Sequence, residues 1–265
     1  MKIIVTGATG FVGKTLLPLL AEKGHEIIIL TRDINLAKVK VPVVCKIIEW
    51  DPLKPLSHME DNIDVVINLC GENVASGRWT SKRKQAIYNS RILATRNLIH
   101  YFRKNSHPIK AWISASAIGI YENSIVSDES APSGQEFLAK ICKDWEEETF
   151  KARDLNIRTI AFRIGIVLGF DGGAMGKMLP VFKLGLGGNI SSGNQWMSWI
   201  HVRDLAGLIV EAIDNPSFEG PVNAVSPNPV TNKEFTSTLA GILKKTAFFP
   251  VPGWILKLLL GEMSQ

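Results

Sequence analysis

Gly7, Gly10 and Gly13 are the residues of this chain whose type and spacing speak most directly of chemistry. They fall three apart in Lys2–Gly13, KIIVTGATGFVG. The stretch reads as a β-branched run, a two-glycine turn and then apolar residues at helical spacing: Phe11, Val12, Leu16, Leu19 and Leu20. In a strand–turn–helix unit, Gly7 permits a sharp turn, Gly10 lets backbone come close to a phosphate, and Gly13 lets the helix pack tightly on the strand. The N–H groups and positive dipole end at Thr9, Phe11 and Val12 would then receive a pyrophosphate. The spacing is G-x-x-G-x-x-G, so an ordinary βα turn is the alternative, and the flanking strand and helix argue against it.

A second chemical signal lies at the tip of the next strand, Glu26–Leu30, followed by Thr31-Arg32-Asp33. An acidic side chain at such a tip accepts hydrogen bonds from an adenosine ribose, whereas an arginine accommodates a 2′-phosphate. Arg32, with the Thr31 hydroxyl beside it, points to NADP(H); Asp33 keeps NAD open.

Composition sets the frame for these residues. The chain has 265 residues, 46% of them hydrophobic, which suits one large α/β domain or a domain with a small lobe. The net charge of +5 suits an anionic cofactor or substrate. Lys82-Arg83-Lys84 is the one dense basic run and reads as a solvated helix start, so nucleic-acid binding is not expected. Three widely spaced cysteines with no CxxC argue against a disulfide framework or zinc site. The five histidines lack metal-ligand spacing, so no metal is expected. With no signal peptide and no membrane-length apolar run, a cytoplasmic location and a reducing compartment are expected.

The elements that must position the chemistry alternate along the chain. Strands are expected at Val41–Ile48, Asp64–Leu69, Ile109–Ser114, Ile157–Phe162 and Pro221–Val225. Helices are expected at Thr80–Lys104, Gln135–Arg153, Met175–Leu186 and Thr231–Leu243. The pattern predicts an α/β fold: a doubly wound, mainly parallel Rossmann-type sheet with a small C-terminal substrate lobe. Residues 1–168 and 200–225 would form the cofactor-binding core, and 169–199 with 226–265 the lobe. The apolar Trp254–Leu260 is expected to dock on that lobe, with a partner or membrane surface as the alternative.

TGATGFVG resembles the cofactor turn of the short-chain dehydrogenase/reductase superfamily, in its extended, epimerase-like branch. Three further stretches narrow the resemblance: FLAKICKDWE at 137–146, FRIGIVLGFDGGAMGKMLP at 162–180 and GLGGNISSGNQWMSWIHVRDL at 185–205. Together, over essentially the whole chain, they are similar to an atypical subfamily usually labelled only "epimerase family protein". The resemblance implies NADP(H) binding, a small-molecule substrate of unsettled identity and a loose link to division of cells or chloroplasts. It also implies a C-terminal extension that would begin where this chain stops, which suggests truncation. A homodimer is left open.

By the same resemblance, Asp51 contacts adenine or else serves an Asp-Pro turn. Asn68–Gly71, NLCG, is similar to the superfamily's N-x-A-G turn, which brings Leu69, Cys70 and Gly71 beside the cofactor. Arg91 falls in a slot often held by asparagine, facing either a phosphate or solvent. Ser114 ends the fifth strand, and Gly165 lies in a segment that passes the nicotinamide end. Gly169–Gly173 is a lid or a plain connection. Trp196 and Trp199 are core or substrate-pocket lining, and His201 is structural rather than catalytic.

The superfamily's acid–base pair, Y-x-x-x-K, is missing. None of Tyr88, Tyr101 and Tyr121 is followed four residues later by lysine. Aligning Glu146 with the glutamate that follows the pair puts Leu138 and Cys142 in its slots. The usual catalytic hydroxyl lands on Ala117, one residue from Ser116. Ser116 and Tyr121 are therefore the candidate catalytic residues, since a hydroxyl at this strand end should face the nicotinamide. Two functions follow: an NADP(H)-dependent oxidoreductase or epimerase with a non-standard proton donor, or a non-catalytic NADP(H)-binding redox-sensing module.

Overall fold

Seven parallel strands build the central sheet of the computed structural model, which describes residues 1–57, 59, 62–105, 107–122, 127–170 and 172–247. In chain order the elements begin β1 (Lys2–Thr6), α1 (Phe11–Glu22), β2 (Glu26–Thr31), α2 (Ile34–Lys40), β3 (Lys46–Glu49), β4 (Val65–Asn68) and α3 (Ser81–Lys104). They continue with β5 (Ala111–Ala117), α4 (Phe137–Phe150), β6 (Arg158–Ile164), β7 (Ile166–Leu168), α5 (Gly173–Lys183), β8 (Trp196–Met197) and β9 (Trp199–His201). The last are α6 (Val202–Asp214), β10 (Gly220–Ala224), β11 (Val230–Thr231) and α7 (Asn232–Ile242). The sheet runs β10-β6-β5-β4-β1-β2-β3, so its order reverses between β1 and β4. In open α/β sheets a ligand crevice forms outside the carboxyl ends of the strands at such a reversal.

The strands are apolar on both faces because helices cover both. Ile3 and Val5 point into a layer with Leu16, Leu17 and Leu20 of α1 and Leu205 and Ile209 of α6. Ile4, one residue out of phase, points into the opposite layer with Leu98, Ile99 and Phe102 of α3 and Trp112 of β5. A separate small cluster joins Phe182 of α5 to Leu239 and Ala240 of α7, with Met175, Met178, Leu179 and Phe235 around it.

The helix starts follow their caps. Thr80 accepts from Arg83 N at the head of α3, and Thr231 forms a capping box with Glu234 at the head of α7. Several expected boundaries move. The third strand is only Lys46–Glu49, and before it Asp33 caps the short helix α2, which ends at Lys40, through Leu36 N. The helix expected over 135–153 begins at Phe137 and passes after Phe150 into a 3-10 turn, Lys151–Leu155, which ends at left-handed Asn156 (φ 58°). Two small sheets were not expected: β7 beside β9, parallel, and β8 beside β11, antiparallel. Strands of two or three residues carry too little alternation to register as a period. Trp254–Leu260 lies outside the described residues.

Candidate active site

A cleft of about 670 Å³ opens over the carboxyl ends of β1, β2 and β4, within the range of small-molecule and cofactor pockets. Its floor is Gly7, Ala8, Thr9 and Gly10. Gly7 sits at φ +69°, and a Cβ there would lie 2.5 Å from the Leu69 carbonyl oxygen. The β1 turn and the β4 turn thus touch through a glycine that no other residue could replace unstrained. A Cβ at Gly13 would lie 2.6 Å from the carbonyls of Gly7 and Ala8, so α1 packs directly on its own turn. Val12 and Gly13 belong to the first turn of α1 and do not line the cleft. Phe11 does not line it either; Cβ atoms added at Gly169, Gly172 or Gly173 would strike its ring within 2.5–2.8 Å. The glycine-rich loop, whose residue 171 is outside the described set, makes room for Phe11.

The β2 end closes one side of the cleft. Thr31, Arg32, Trp50 and Asp51 all line it. Arg32 pairs with Glu72 across the opening at 3.2 Å, and Arg83 holds the other oxygen of Glu72 at 3.1 Å. Burial pushes the Glu72 carboxyl up, but the bonds from Arg83 and Arg32 outweigh it and leave the group below its usual range. Asp33 is occupied as the cap of α2. Asp51 both lines the cleft and accepts from Leu53 N at 3.0 Å, so the turn and the cleft wall are one feature.

The β4 turn is fixed by a polar chain through the core. The Thr6 hydroxyl donates to Asn68 Oδ1 at 2.7 Å, and Asn68 Nδ2 donates to Thr95 Oγ1 at 2.9 Å. Trp145 Nε1 reaches the same Thr95 oxygen at 3.0 Å, tying β1, β4, α3 and α4 together. Cys70 N donates to Thr6 Oγ1, and Glu72 N to Ser90 Oγ at 2.9 Å. Leu69, Cys70 and Gly71 line the cleft. Burial pushes the Cys70 thiol up, so it is a neutral filler rather than a nucleophile. Arg91 stands behind Gly71: a Cβ on that glycine would lie 3.0 Å from its guanidinium carbon.

Ser116 and Tyr121 meet in a different network. Ser116 is buried and donates to Glu146 Oε1 at 2.6 Å. Arg163 pairs with both oxygens of Glu146, at 2.9 and 2.8 Å. Its Nη1 donates to the Tyr121 hydroxyl at 2.8 Å, which in turn donates to Asn223 Oδ1 at 2.7 Å. Burial raises the Tyr121 phenol, and Arg163 offsets this only in part, its own charge being shared with Glu146. Tyr121 also edges a hollow of about 260 Å³ with Trp196, Ser198, Asn223 and Ser226. Trp196 is 52% exposed there, while Trp199 in β9 is half-buried and outside the hollow's lining.

Ser114 is fully buried inside the sheet, and its hydroxyl donates to the Ala115 carbonyl. Gly165 lets the chain before β9 approach, since a Cβ there would lie 2.8 Å from the Ser198 carbonyl oxygen. In the dyad slots, Leu138 rests against Gly119, and Cys142 is buried with its thiol pushed up to about 12, chiefly by burial. His201 caps α6 by accepting from Arg203 N. Among the described residues no three His, Cys, Asp or Glu side chains gather to hold a metal, and no helix is long and apolar enough to cross a membrane.

Sequence reasoning missed Glu72 and Arg83, and also the wall that α3 contributes through Lys82, Gln85 and Asn89. The i, i+3, i+7 spacing of those three polar residues was the available signal. It also gave no role to Arg163 as the partner of Glu146. A carboxylate inside the apolar stripe Ile141, Cys142, Trp145 requires such a partner.

Comparison with known proteins places this geometry among relatives. The model of the NAD dependent epimerase/dehydratase family matches residues 3–225. The chain is 39% identical over 275 residues to the chloroplastic "Epimerase family protein SDR39U1 homolog" of Arabidopsis thaliana, covering 99% of this chain and 76% of that one. It is 39% identical over 272 residues to "Epimerase family protein YfhF" of Bacillus subtilis, covering 100% and 87%. The crystal structure of the human epimerase family protein SDR39U1 (isoform2) with NADPH superposes with a TM-score of 0.86 at 34% identity, covering 99% and 86%.

Proposed function

The chain belongs to the NAD dependent epimerase/dehydratase family, and from that premise we propose that it is an NADP(H)-dependent oxidoreductase or epimerase acting on a small molecule. The observation that carries the reading is Arg32 at the β2 tip, lining a cleft whose floor is the Gly7–Gly10 turn. The human relative's NADPH complex supports the same cofactor. The residues suit a dinucleotide: the Gly7–Gly10 turn floors the cleft at the N-terminus of α1, where a pyrophosphate would be received, and Arg32 lines the cleft at the β2 end, where it would meet a 2′-phosphate.

When bound, the nicotinamide supplies a hydride donor or acceptor. The chain's own part is to orient it on the β4 turn, held rigid by Thr6, Asn68 and Thr95, and to present substrate from the hollow beside Tyr121 and Trp196. Residues 169–199 and 226–265 are the substrate lobe in this reading. Tyr121 is the proton donor, with Asn223 and Arg163 aligning its hydroxyl and Ser116 bracing Arg163 through Glu146.

One observation favours a second reading, a non-catalytic NADP(H)-binding module. Both candidate hydroxyls are engaged by protein partners, and the dyad slots hold Leu138 and Cys142. The deciding experiment titrates NADPH and NADH against the fluorescence of Trp50 in the cleft, then screens carbonyl substrates for NADPH oxidation. Saturable NADPH binding with turnover that Tyr121→Phe abolishes supports the enzyme. Saturable binding without turnover supports the module, and no binding of either nucleotide overturns both.

A further inference from the structure

Arg91 is electrostatically unlike five other arginines of the chain. Arg163 has Glu146, Arg96 has Glu148, and Arg83 and Arg32 share Glu72. Arg158 donates to three carbonyls at the C-terminal end of α6 and just beyond, where the helix dipole is negative. Arg91 has no carboxylate within ion-pair distance among the described residues, and its bonds leave from one nitrogen, Nη1, to the Ile87 carbonyl and Ser90 Oγ. Its Nη2 and Nε instead face Gly71, 3.1 and 3.3 Å from where a Cβ would stand.

The surroundings do not supply the missing negative charge. Cys142 and Cys70 are the ionisable groups that act on it most strongly, and burial holds both as neutral thiols. Glu72 acts on Arg91 from a distance but is already bound by two arginines. The Trp145 ring, 5.3 Å from the guanidinium carbon, offers only its face. A guanidinium does not lose its proton in proteins, so a partly buried, under-compensated cation persists here.

Strand order says what lies beside it. The carboxyl ends run β2, β1, β4, β5 across the sheet. With the adenosine end of a dinucleotide at Arg32 and its pyrophosphate over Gly7–Gly10, the second nucleotide lies over β4 and β5. Arg91 stands at the β4 turn. The nicotinamide ring carries a positive charge when oxidised and none when reduced.

We propose that Arg91 makes this site selective for the redox state of the cofactor, disfavouring the cationic oxidised nicotinamide and favouring the neutral reduced ring. This rests on the dinucleotide reading given above, and it holds for an enzyme and for a sensing module alike. Dissociation constants of NADPH and NADP+ are measured at fixed salt for the wild type, Arg91→Met and Arg91→Lys, with adenosine 2′,5′-bisphosphate as a ligand that lacks the nicotinamide. The wild type should bind NADPH about tenfold more tightly than NADP+. Arg91→Met should bring that ratio close to one, Arg91→Lys should retain most of it, and all three should bind the bisphosphate alike. The melting temperature of ligand-free Arg91→Met should stay level or rise, because an uncompensated charge has gone. A wild-type ratio near one, or one unmoved by Arg91→Met, overturns the proposal. Loss of bisphosphate binding in Arg91→Met also overturns it, since Arg91 would then be a prop for the turn. If the wild type binds none of the three ligands, the dinucleotide reading itself falls.

Discussion

The Ser116 hydroxyl lies 2.6 Å from Glu146 Oε1, on a carboxylate that Arg163 already grips with two nitrogens. A side chain one position from the family's hydroxyl slot is thereby committed to the interior. Both members of the ion pair are nearly inaccessible, with 8% of each side chain exposed. Removing one charge strands the other, and such losses cost about 3–5 kcal/mol. Glu146→Gln should lower unfolding free energy by about that amount in urea denaturation. Ser116→Ala removes one hydrogen bond to a charged group and should cost about 1.5–3 kcal/mol. A Glu146→Gln protein of unchanged midpoint would contradict this account of the β5–α4–β6 junction.

Arg32 should discriminate between cofactors. Arg32→Ala should weaken NADPH binding by about 1–3 kcal/mol and leave NADH almost unchanged, because only NADPH carries the phosphate. Calorimetric titration of both nucleotides checks it, and equal losses would reject Arg32 as the phosphate partner.

Glu72 competes for the same guanidinium. A 2′-phosphate that binds Arg32 must draw it from the 3.2 Å contact with Glu72. Glu72→Gln leaves a neutral competitor, so NADPH should bind several-fold more tightly while NADH does not change. The pH dependence has a definite sign. Net attraction by Arg83 and Arg32, working against burial, depresses the folded carboxyl below its ordinary value of 4.5. Its contribution to stability is therefore complete above that value and fades as pH falls through the lower, folded one. Urea midpoints of wild type and Glu72→Gln should run parallel from pH 8 to 5 and converge below about 4.5. Parallel curves throughout would show that the pair contributes nothing to folding.

The fold was largely legible because its signals are local. Lys2–Gly13 contains a strand, a turn and a helix start in one dozen residues, and the cleft floor forms from them. Thr80 and Thr231 mark their helices by cap chemistry alone. What stayed hidden depends on contacts distant in sequence. The Tyr121–Asn223 bond spans 102 residues, and Phe11 is enclosed by glycines more than 150 positions away. No periodicity records such pairings. The roles of Arg32 and Asp33 diverge for a simpler reason: an aspartate one residue before a helix caps it, so Asp33 accepts from Leu36 N while Arg32 lines the cleft.

The slots of the missing dyad test how far Arg91 governs its neighbourhood. Cys142 is buried, lies within electrostatic reach of Arg91, and has its thiol pushed up to about 12, chiefly by burial. Cys142→Lys would restore the family's side-chain type but would place a buried ammonium between the Arg91 cation and the Glu146 carboxylate, which Arg163 already holds. Burial and repulsion by Arg91 act in the same direction, and Glu146, its charge shared with Arg163, offsets them only in part, so the substitution should cost about 2–4 kcal/mol. Adding Leu138→Tyr should not recover this, because the repulsion remains. Adding Arg91→Met should, since it removes the competing charge, and the double-mutant cycle should return a favourable coupling of about 1–2 kcal/mol. Only in the Arg91→Met background would Leu138→Tyr with Cys142→Lys then have a charged lysine to lower the new phenol. Purely additive effects of Arg91→Met and Cys142→Lys would mean that the two positions do not sense each other, and the slot would be closed to lysine by shape alone.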